Sequence, residues 1–350
     1  MKVLAIESSC DETAIALLEG KGNSLKLGKN VVYSQIDIHK KYGGVVPELA
    51  ARKHVDTIIP LIDDTLAKNK LKGIDYVAVT SGPGLVTSLI LGMATAKTLA
   101  FINNLPLVAV NHMEGHVYSN WLSNTGLAKN SNKYFPALIL VVSGGHTELV
   151  LMKGHGEYTL IGQTLDDAVG EAYDKVAKLL DLGYPGGPIV SKLAEKGDGS
   201  LHIFPRPMID KANYNFSFSG LKTAVLYTLE KKKQLSKKDI SDICASFQEA
   251  VIEVLVKKTI KAALKYNVKS IMIAGGVSAN IELKKTLSRE SKKINLSFFY
   301  PKLEYTGDNA AMIAVAAYYN ILNKKDNVLQ GNKVFDLEPH SNWQLSKNKI

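Results

Sequence analysis

The stretch VLAIESSCDETAIALL, residues 3–18, decides the fold, because it places a polar turn between two short apolar runs. Residues 3–6 and 14–18 have the length and composition of buried β-strands, while residues 7–13 carry the polar and small side chains typical of a turn. The pattern predicts a β-hairpin whose tip carries groups able to do chemistry.

The same arrangement returns in the second half of the chain. Residues 137–152, ALILVVSGGHTELVLM, again place a turn between two apolar runs. Each half also has a short strand that ends in glycines before a helical segment, with SGPG at residues 81–84 and GGVSAN at residues 275–280. The two parallels predict an internally duplicated α/β protein. Glycines at strand–helix junctions let backbone N–H groups approach a phosphate, so we expect two lobes that bind one nucleotide.

The bulk composition indicates a globular protein. A chain of 350 residues is long enough for two domains, and its 46% apolar and 22% charged residues are typical of packed cores with charged surfaces. No apolar run reaches the roughly 18 residues of a membrane span, so we expect no membrane association. Cys10 and Cys244 are the two cysteines of the chain, and so few cysteines make a disulfide framework improbable. The composition therefore favours a reducing, cytoplasmic location.

The charge distribution favours a polyanionic partner only modestly. The formal net charge is +10, and the larger share lies after residue 133. Lysine groups that could steer nucleic acid lie at residues 231–233, 237–238, 257–258 and 284–285. Lysines on exposed helix faces are equally typical of plain solvation.

Between the motifs, amphipathic patterns predict helices over residues 48–70 and 239–265. Residues 323–350 are rich in lysine and asparagine, and we expect them to form a loosely held polar tail.

A histidine pair suggests a metal site. His112 and His116 lie in the segment HMEGH, and side chains four residues apart face the same way on a helix. Such a pair is also common as capping or buried histidines, so a metal site needs a third ligand. Asp308 is the best candidate, although an Asp at a helix start is equally a preferred N-cap. Two nitrogens and one carboxylate oxygen, without thiolate, suit iron or zinc.

The turn of the first hairpin offers carboxylates. Asp11 and Glu12 are candidates for a general base or for groups behind the metal ligands. Cys10 has no cationic neighbour in sequence to lower its pKa, so we expect it to pack rather than to act as a nucleophile.

The motifs together resemble the bacterial type of tRNA threonylcarbamoyladenosine synthesis proteins, a family formerly described as O-sialoglycoprotein endopeptidases. The resemblance covers residues 1 to about 322 and keeps the family's motif order. Its motifs are ESSCDET (7–13), VPELA (46–50), SGPG (81–84), HMEGH (112–116), VSGGHT (142–147), GEA (170–172), YPGGP (184–188), FSFSGLK (216–222), GGVSAN (275–280) and GDN (307–309).

The resemblance implies the two-lobed α/β fold of actin, Hsp70 and sugar kinases, with duplicated βββαβα-type domains and a ligand cleft between them. The N-terminal lobe would span residues 1–133, completed by a helix at about 308–322, and the C-terminal lobe would span residues 134–307.

The resemblance also implies a reaction. Such a protein transfers the threonylcarbamoyl group from threonylcarbamoyl-AMP to N6 of the adenosine beside the anticodon (position 37) in tRNAs reading ANN codons, with release of AMP. The implied metal ligands are His112, His116 and Asp308, with Fe²⁺ expected ahead of Zn²⁺. The adenylate, with its AMP moiety, would lie against Val141, Val142, Ser143, Gly144, Gly145, Asp174, Gly187 and Asn280. The implied partners are tRNA, a degenerate paralogue that forms a heterodimer with the chain, and a small P-loop ATPase.

Three other functions stay open at this point. A zinc metalloprotease needs His-Glu-x-x-His, whereas Glu114 occupies the middle of HMEGH. An ATPase of the actin type would hydrolyse ATP without needing two metal-binding histidines. A scaffold would bind nucleotide and organise partners without catalysis.

Overall fold

A computed structural model describes residues 1–66, 71–231 and 234–346 of the chain. The end of the helix predicted over residues 48–70, two lysines of the group at 231–233 and the last residues of the polar tail lie outside the described residues. The chain divides into two compact units. The first contains residues 1–133, 153–158 and 301–350, and the second contains residues 134–152 and 159–300.

The first sheet is built around the predicted N-terminal hairpin. In the described part of the chain it has six strands, in the order β11-β5-β4-β1-β2-β3. Strand β1 pairs antiparallel with β2 and parallel with β4. Because β1 is central and covered on both faces, it reads as a continuous apolar run. The strands are β1 (Lys2–Glu7), β2 (Glu12–Lys21), β3 (Ser24–Ser34), β4 (Tyr76–Gly82), β5 (Leu107–Asn111) and β11 (Val328–Leu329).

The second sheet repeats this plan with the second hairpin. Over the described residues it has five strands, in the order β10-β9-β6-β7-β8. Strand β6 pairs antiparallel with β7 and parallel with β9, as β1 does with β2 and β4. The internal duplication predicted from the sequence is therefore confirmed. The strands are β6 (Ala137–Val142), β7 (Thr147–Gly154), β8 (Glu157–Gln163), β9 (Ser270–Ala274) and β10 (Ser297–Phe299).

Helices follow the strands as the amphipathic patterns predict. In chain order they are α1 (Ile36–His39), α2 (Pro47–Leu66), α3 (Val86–Ile102), α4 (His112–Ser123), α5 (Thr125–Lys129), α6 (Ser131–Tyr134), α7 (Val169–Leu179), α8 (Gly186–Ala194), α9 (Ser219–Glu230), α10 (Lys237–Lys265), α11 (Ile281–Lys293) and α12 (Ala310–Leu322). Within the described ranges, no helix combines the length and the apolar character needed to cross a bilayer.

Helix α12 belongs to the first unit although it lies far along the chain. Residues 310–320 are all buried, and the helix packs against α4, β1 and β2. Its alanines allow this close approach because they add little bulk beyond the backbone. Gly115 of α4 shows how close the two helices are, since a Cβ there would lie 2.7 Å from the Ile313 side chain. This packing brings the start of α12 beside the start of α4.

The segment after residue 323 differs from the loosely held tail that its composition suggested. Strand β11 pairs antiparallel with β5, so the segment extends the first sheet. Val334 and Leu337 are buried in the core of the first unit, and Leu345 is also buried. A few well-spaced apolar side chains therefore hold a stretch that is otherwise rich in polar residues.

This C-terminal segment also covers the SGPG junction. His340 donates its backbone N–H to the Ser81 carbonyl at 2.8 Å, and Gly84 donates its N–H to the Ser341 carbonyl at 3.3 Å. A Cβ on Gly82 would lie 1.9 Å from the His340 carbonyl oxygen, so only glycine fits there. The Gly84 N–H, expected from the sequence to approach a phosphate, is instead bonded within the protein.

Candidate metal centre

Helix α4 begins immediately after β5, at His112. Asn111 caps the helix, because its Oδ1 accepts hydrogen bonds from the N–H groups of Met113 at 2.9 Å and Glu114 at 3.2 Å. The cap fixes the first turn, so His112 and His116 lie on one face. Their ring centroids are 4.7 Å apart.

Asp308 lies opposite this histidine pair, just before α12. The N-cap of α12 is Asn309, whose Oδ1 accepts from the Met312 N–H at 3.0 Å. Asp308 is therefore not the cap that its position suggested. Its Oδ1 lies 3.4 Å from His112 Nε2 and 3.2 Å from His116 Nε2. One ligating atom from each of the three residues lies within 4.8 Å of the others.

The donor set fits a divalent metal ion. Both ring nitrogens of His116 are buried, and neither makes a well-aligned hydrogen bond in the described part of the chain, although Nε2 lies 3.2 Å from Asp308 Oδ1. A buried imidazole without a well-aligned hydrogen bond is unfavourable, and coordination of a metal ion through Nε2 would satisfy it. Two imidazole nitrogens and a carboxylate oxygen are ligands that iron and zinc accept.

The electrostatics of the cluster favour a cation. Burial lowers the pKa of His112, but the negative charges of Asp308 and Glu7 outweigh this effect and raise its pKa well above its ordinary value. Burial raises the pKa of Asp308, yet the two histidines more than offset it, so that pKa lies below its ordinary range. The buried Glu7 carboxylate and the partly exposed Asp308 carboxylate thus lie beside the imidazoles and attract positive charge.

Glu7 lies behind His112 at the end of β1. Its side chain is fully buried, and its Oε2 lies 3.3 Å from His112 Nδ1. The Ser9 N–H donates to its Oε1 at 2.6 Å, and the Thr80 hydroxyl donates to its Oε2. Since a carboxylate only accepts hydrogen bonds, Glu7 favours a proton on Nδ1 of His112, which also lies 3.1 Å from Ser9 Oγ. Nε2 is then the nitrogen that faces Asp308 and could coordinate a metal ion.

Sequence reasoning did not assign a role to Glu7. It is the first residue of the ESSCDET motif, in which Asp11 and Glu12 are the candidate catalytic carboxylates. Its position could have indicated a role, because it is a charged residue directly after a fully apolar strand. A charged group buried there is unfavourable unless it has a hydrogen-bonding or charged partner.

Asp11, the first predicted base candidate, lies in the turn between β1 and β2, and Glu12, the second, is the first residue of β2. Asp11 is buried, and Glu12 accepts a hydrogen bond from the Ser34 hydroxyl at 3.3 Å. Burial, together with the charges of Asp308 and Asp11, raises the pKa of Glu12 well above its ordinary value. Burial and the charge of Asp11 also raise the pKa of Cys10, so its thiol is a poor nucleophile, in line with a packing role.

Glu114, the middle residue of HMEGH, is bonded elsewhere. It accepts hydrogen bonds from the Tyr158 hydroxyl at 3.1 Å, from Asn320 Nδ2 at 2.9 Å and from Lys325 Nζ at 2.9 Å. Only 3% of the residue is exposed. Its carboxylate therefore joins three segments of the first unit and is not positioned as the general base of a metalloprotease.

The residues predicted to bind the adenylate lie in the second unit. Val141 and Val142 end the buried strand β6, and Ser143, Gly144 and Gly145 form the loop that follows. Gly144 and Gly145 are exposed, and a Cβ on either would meet nothing within 4 Å. A hydrogen bond fixes the loop to α7, because the Gly170 N–H donates to the Ser143 carbonyl at 3.1 Å.

The other three predicted adenylate residues are brought together by helices α7, α8 and α11. Asp174 accepts a hydrogen bond from the Gly186 N–H at 2.7 Å, beside Gly187 at the start of α8. Burial raises the pKa of Asp174, although the two glycine N–H groups oppose that shift. Asn280 caps α11 and donates through Nδ2 to Ser191 Oγ, at 2.8 Å.

Gln248 is a further member of this group that the sequence did not reveal. Its Oε1 accepts from Asn280 Nδ2 at 2.8 Å and from the Tyr173 hydroxyl at 3.4 Å. It lies in the middle of the long helix α10. The amphipathic pattern of that helix does not indicate that this polar side chain is buried.

Solved structures identify the class of fold. The protein HypF from T. kodakarensis aligns with a TM-score of 0.58 at 14% identity, over 92% of this chain and 47% of that chain. A full-length HypF in a phosphate- and nucleotide-bound form gives 0.57 at 12% identity, over 92% and 55%. At these identities the likeness shows the fold alone, which is the duplicated α/β fold of actin, Hsp70 and sugar kinases.

The sequence relatives identify the family. The family model of tRNA N6-adenosine threonylcarbamoyltransferase matches residues 26–315. Proteins of that name from Thermosipho africanus and Kosmotoga olearia are 50% and 49% identical, over 91% of this chain and 94% and 93% of theirs. The chain belongs to the tRNA N6-adenosine threonylcarbamoyltransferase family, and it forms threonylcarbamoyladenosine in tRNA by acyl transfer. The predicted activity is confirmed, and the protease, ATPase and scaffold alternatives find no support among these relatives.

Proposed function

We propose that the chain carries out this transfer with one divalent metal ion held by His112, His116 and Asp308. The donor would be threonylcarbamoyl-AMP, the acceptor N6 of adenosine 37 in tRNAs reading ANN codons, and AMP the leaving group. The observation that carries the proposal is the convergence of three donor atoms within 4.8 Å of one another.

The donor types support Fe²⁺ as the native ion, with Zn²⁺ as the second candidate. When bound, the ion would supply Lewis-acid polarisation of the carbamoyl carbonyl. Glu7 would orient His112 through the hydrogen bond to Nδ1 and raise its strength as a ligand.

The exocyclic amine of adenine is a weak nucleophile because its lone pair is delocalised into the ring. A base must therefore take the proton that N6 loses when the new C–N bond forms. We assign this role to Asp11 or Glu12. The raised pKa of Glu12 supports the assignment, because a carboxylate of higher pKa accepts a proton more readily.

The second unit would bind the adenylate. Gly144 and Gly145 are exposed, and backbone N–H groups in such a glycine-rich loop are suited to phosphate oxygens. Asp174 would accept hydrogen bonds from the ribose hydroxyls, beside the backbone of Gly187. Asn280, fixed by Ser191 and Gln248, would border the same ligand, and Val141 and Val142 would support the loop from the sheet.

We further propose that the chain acts in the cytoplasm, where unmodified tRNA is present, and that both cysteines stay as thiols there. Cys10 and Cys244 are free in the structure. By the family resemblance, the working assembly would include a degenerate paralogue as heterodimer partner and a small P-loop ATPase.

Single-turnover transfer of labelled threonylcarbamoyl from its adenylate to unmodified tRNA tests the proposal. The reaction would contain the chain and its proposed partners, and it would compare His112→Ala with His202→Ala, a histidine of the second unit outside the proposed site. We expect the first variant to lose both metal and product formation and the second to keep both. Full transfer by His112→Ala would overturn the metal assignment without affecting the family assignment.

A further inference from the structure

The lysine groups noted in the sequence differ in what their side chains do. Lys238 pairs with Asp242 at 2.7 Å, and Lys257 lies 3.5 Å from Asp210. Lys258 is buried, and its Nζ donates to the Asn213 carbonyl at 3.0 Å. These lysines serve the second unit internally. The lysines at residues 284–285 differ from these, because they belong to a basic surface on helix α11.

Helix α11 presents a row of cations to solvent. Lys285, Arg289 and Lys292 follow a spacing of four and then three residues, so they lie on one face over about 10 Å of helix. All three are exposed, whereas Leu283 and Leu287 on the opposite face are buried. Helix-end electrostatics explain a cation in the last turn, but Lys285 and Arg289 lie before that turn.

Few acidic groups neutralise this row. Among the described residues, Lys285 and Lys292 have no ion-pair partner within 4.0 Å, and Arg289 contacts only the adjacent Glu290, at 3.0 Å. An exposed pair of that kind contributes little and exchanges readily for another anion. The row is therefore available to a polyanion.

An aromatic ring lies beside Lys284, the residue that precedes the row. Tyr300, which follows β10, is 47% exposed, and Lys284 Nζ lies 5.6 Å from its ring centroid. Its ring centroid is also 5.7 Å from that of Phe298. Basic side chains next to an exposed aromatic ring are typical of surfaces that bind single-stranded or looped nucleic acid.

We propose that Lys285, Arg289 and Lys292, together with Lys284 and the Tyr300 ring that it contacts, form a tRNA-binding surface that contacts backbone phosphates. The proposal deepens the transfer function, since the acceptor of the family is tRNA. Phosphate contacts of this kind position the substrate without reading its bases, so the surface would act on every tRNA that the enzyme modifies.

Charge reversal in the complete transfer reaction tests this surface. The variant is Lys285→Glu/Arg289→Glu/Lys292→Glu. The matched control is Lys21→Glu/Lys26→Glu/Lys129→Glu, which makes the same charge change at three exposed lysines of the first unit. The Michaelis constant for tRNA and the turnover number are measured at several salt concentrations, together with equilibrium binding of metal and of the adenylate.

For the α11 variant we expect the Michaelis constant for tRNA to rise at least about 10-fold, with turnover at saturating tRNA and adenylate binding unchanged. The dependence of log affinity on log salt should lose about 2 units of slope, since each lost phosphate contact removes roughly 0.7–0.9. The control variant should change neither quantity by more than about 2-fold.

If the α11 variant has the same Michaelis constant for tRNA as the control variant, the proposed tRNA-binding surface is wrong. An equal increase of that constant in both variants would also contradict the proposal, because it would indicate a general charge effect. If charge reversal prevents folding, the Lys285→Gln/Arg289→Gln/Lys292→Gln variant gives the same test with a smaller expected increase. A defect of the metal site would instead appear in turnover and metal binding, so the failure of either proposal can be recognised separately.

Discussion

Replacing Glu7 with glutamine should weaken metal binding while keeping the fold. Glu7 is fully buried, accepts from the Ser9 N–H at 2.6 Å and faces His112 Nδ1 at 3.3 Å. Glutamine keeps the shape of the side chain but removes its charge. It also converts one acceptor oxygen into an amide NH2 group, which only donates, so at the Oε2 position it could accept from neither Thr80 nor His112.

The size of the effect follows from the role of Glu7 behind a metal ligand. Loss of such a hydrogen-bond partner typically reduces metal affinity by about 10–100-fold, which corresponds to about 1.4–2.7 kcal/mol. The neutral amide still offers one acceptor to Nδ1, so we expect the lower half of this range. His112 would also lose one of the two carboxylates that hold its pKa high, which lowers the attraction of the cluster for a cation.

Metal affinity is measured by competition with a chelator, using Zn²⁺ and then Co²⁺, whose absorption spectrum reports the ligand geometry. Glu19→Gln, an exposed change of the same type on β2, is the control. Thr80→Val provides a second test, because it removes another hydrogen bond to Glu7 without touching a ligand. An unchanged affinity and an unchanged Co²⁺ spectrum in a folded Glu7→Gln protein would refute the reasoning.

Three further predictions concern the first unit. Lys325→Met should reduce the free energy of unfolding by about 2–3 kcal/mol, because it leaves the buried Glu114 carboxylate without its cation, and adding Glu114→Gln should recover part of that loss in urea unfolding. Equal losses in the single and double variants would contradict this coupling. Gly82→Ala should displace the C-terminal segment, since the new Cβ would lie 1.9 Å from the His340 carbonyl oxygen, and limited proteolysis should then cut that segment faster than in the unmodified protein. Burial lowers the pKa of His155 to about 4, against 6.5 when unfolded, so stability is lost as pH falls from 6.5 towards 4. The loss at pH 5 should be about 2 kcal/mol, and His155→Phe should remove that part of the acid sensitivity in unfolding curves at pH 7.5 and pH 5.

Local patterns in the sequence were sufficient for much of the fold. The hairpin of residues 3–18 and its repeat at 137–152 are visible because strand and turn preferences act over a few neighbouring residues. The spacing of His112 and His116 places both imidazoles on one helix face by helix geometry alone. The residue type of Asp308 and the family resemblance predict it as the third ligand, and its place beside the histidines depends on the packing of α12 against α4.

The duplicated strands, the histidine pair and the family motifs can be recognised in the sequence, because each depends on residues close together in the chain. Which distant groups meet depends on how the chain folds. Glu7 lies 105 residues from His112, and Glu114 is bonded to Lys325 across 211 residues. The segment after residue 323 looked loose in composition, yet it covers the glycine junction 81–84 through backbone hydrogen bonds. Such contacts leave no periodic signal in the sequence, since their energy comes from burial and from satisfying polar groups that are adjacent only after folding.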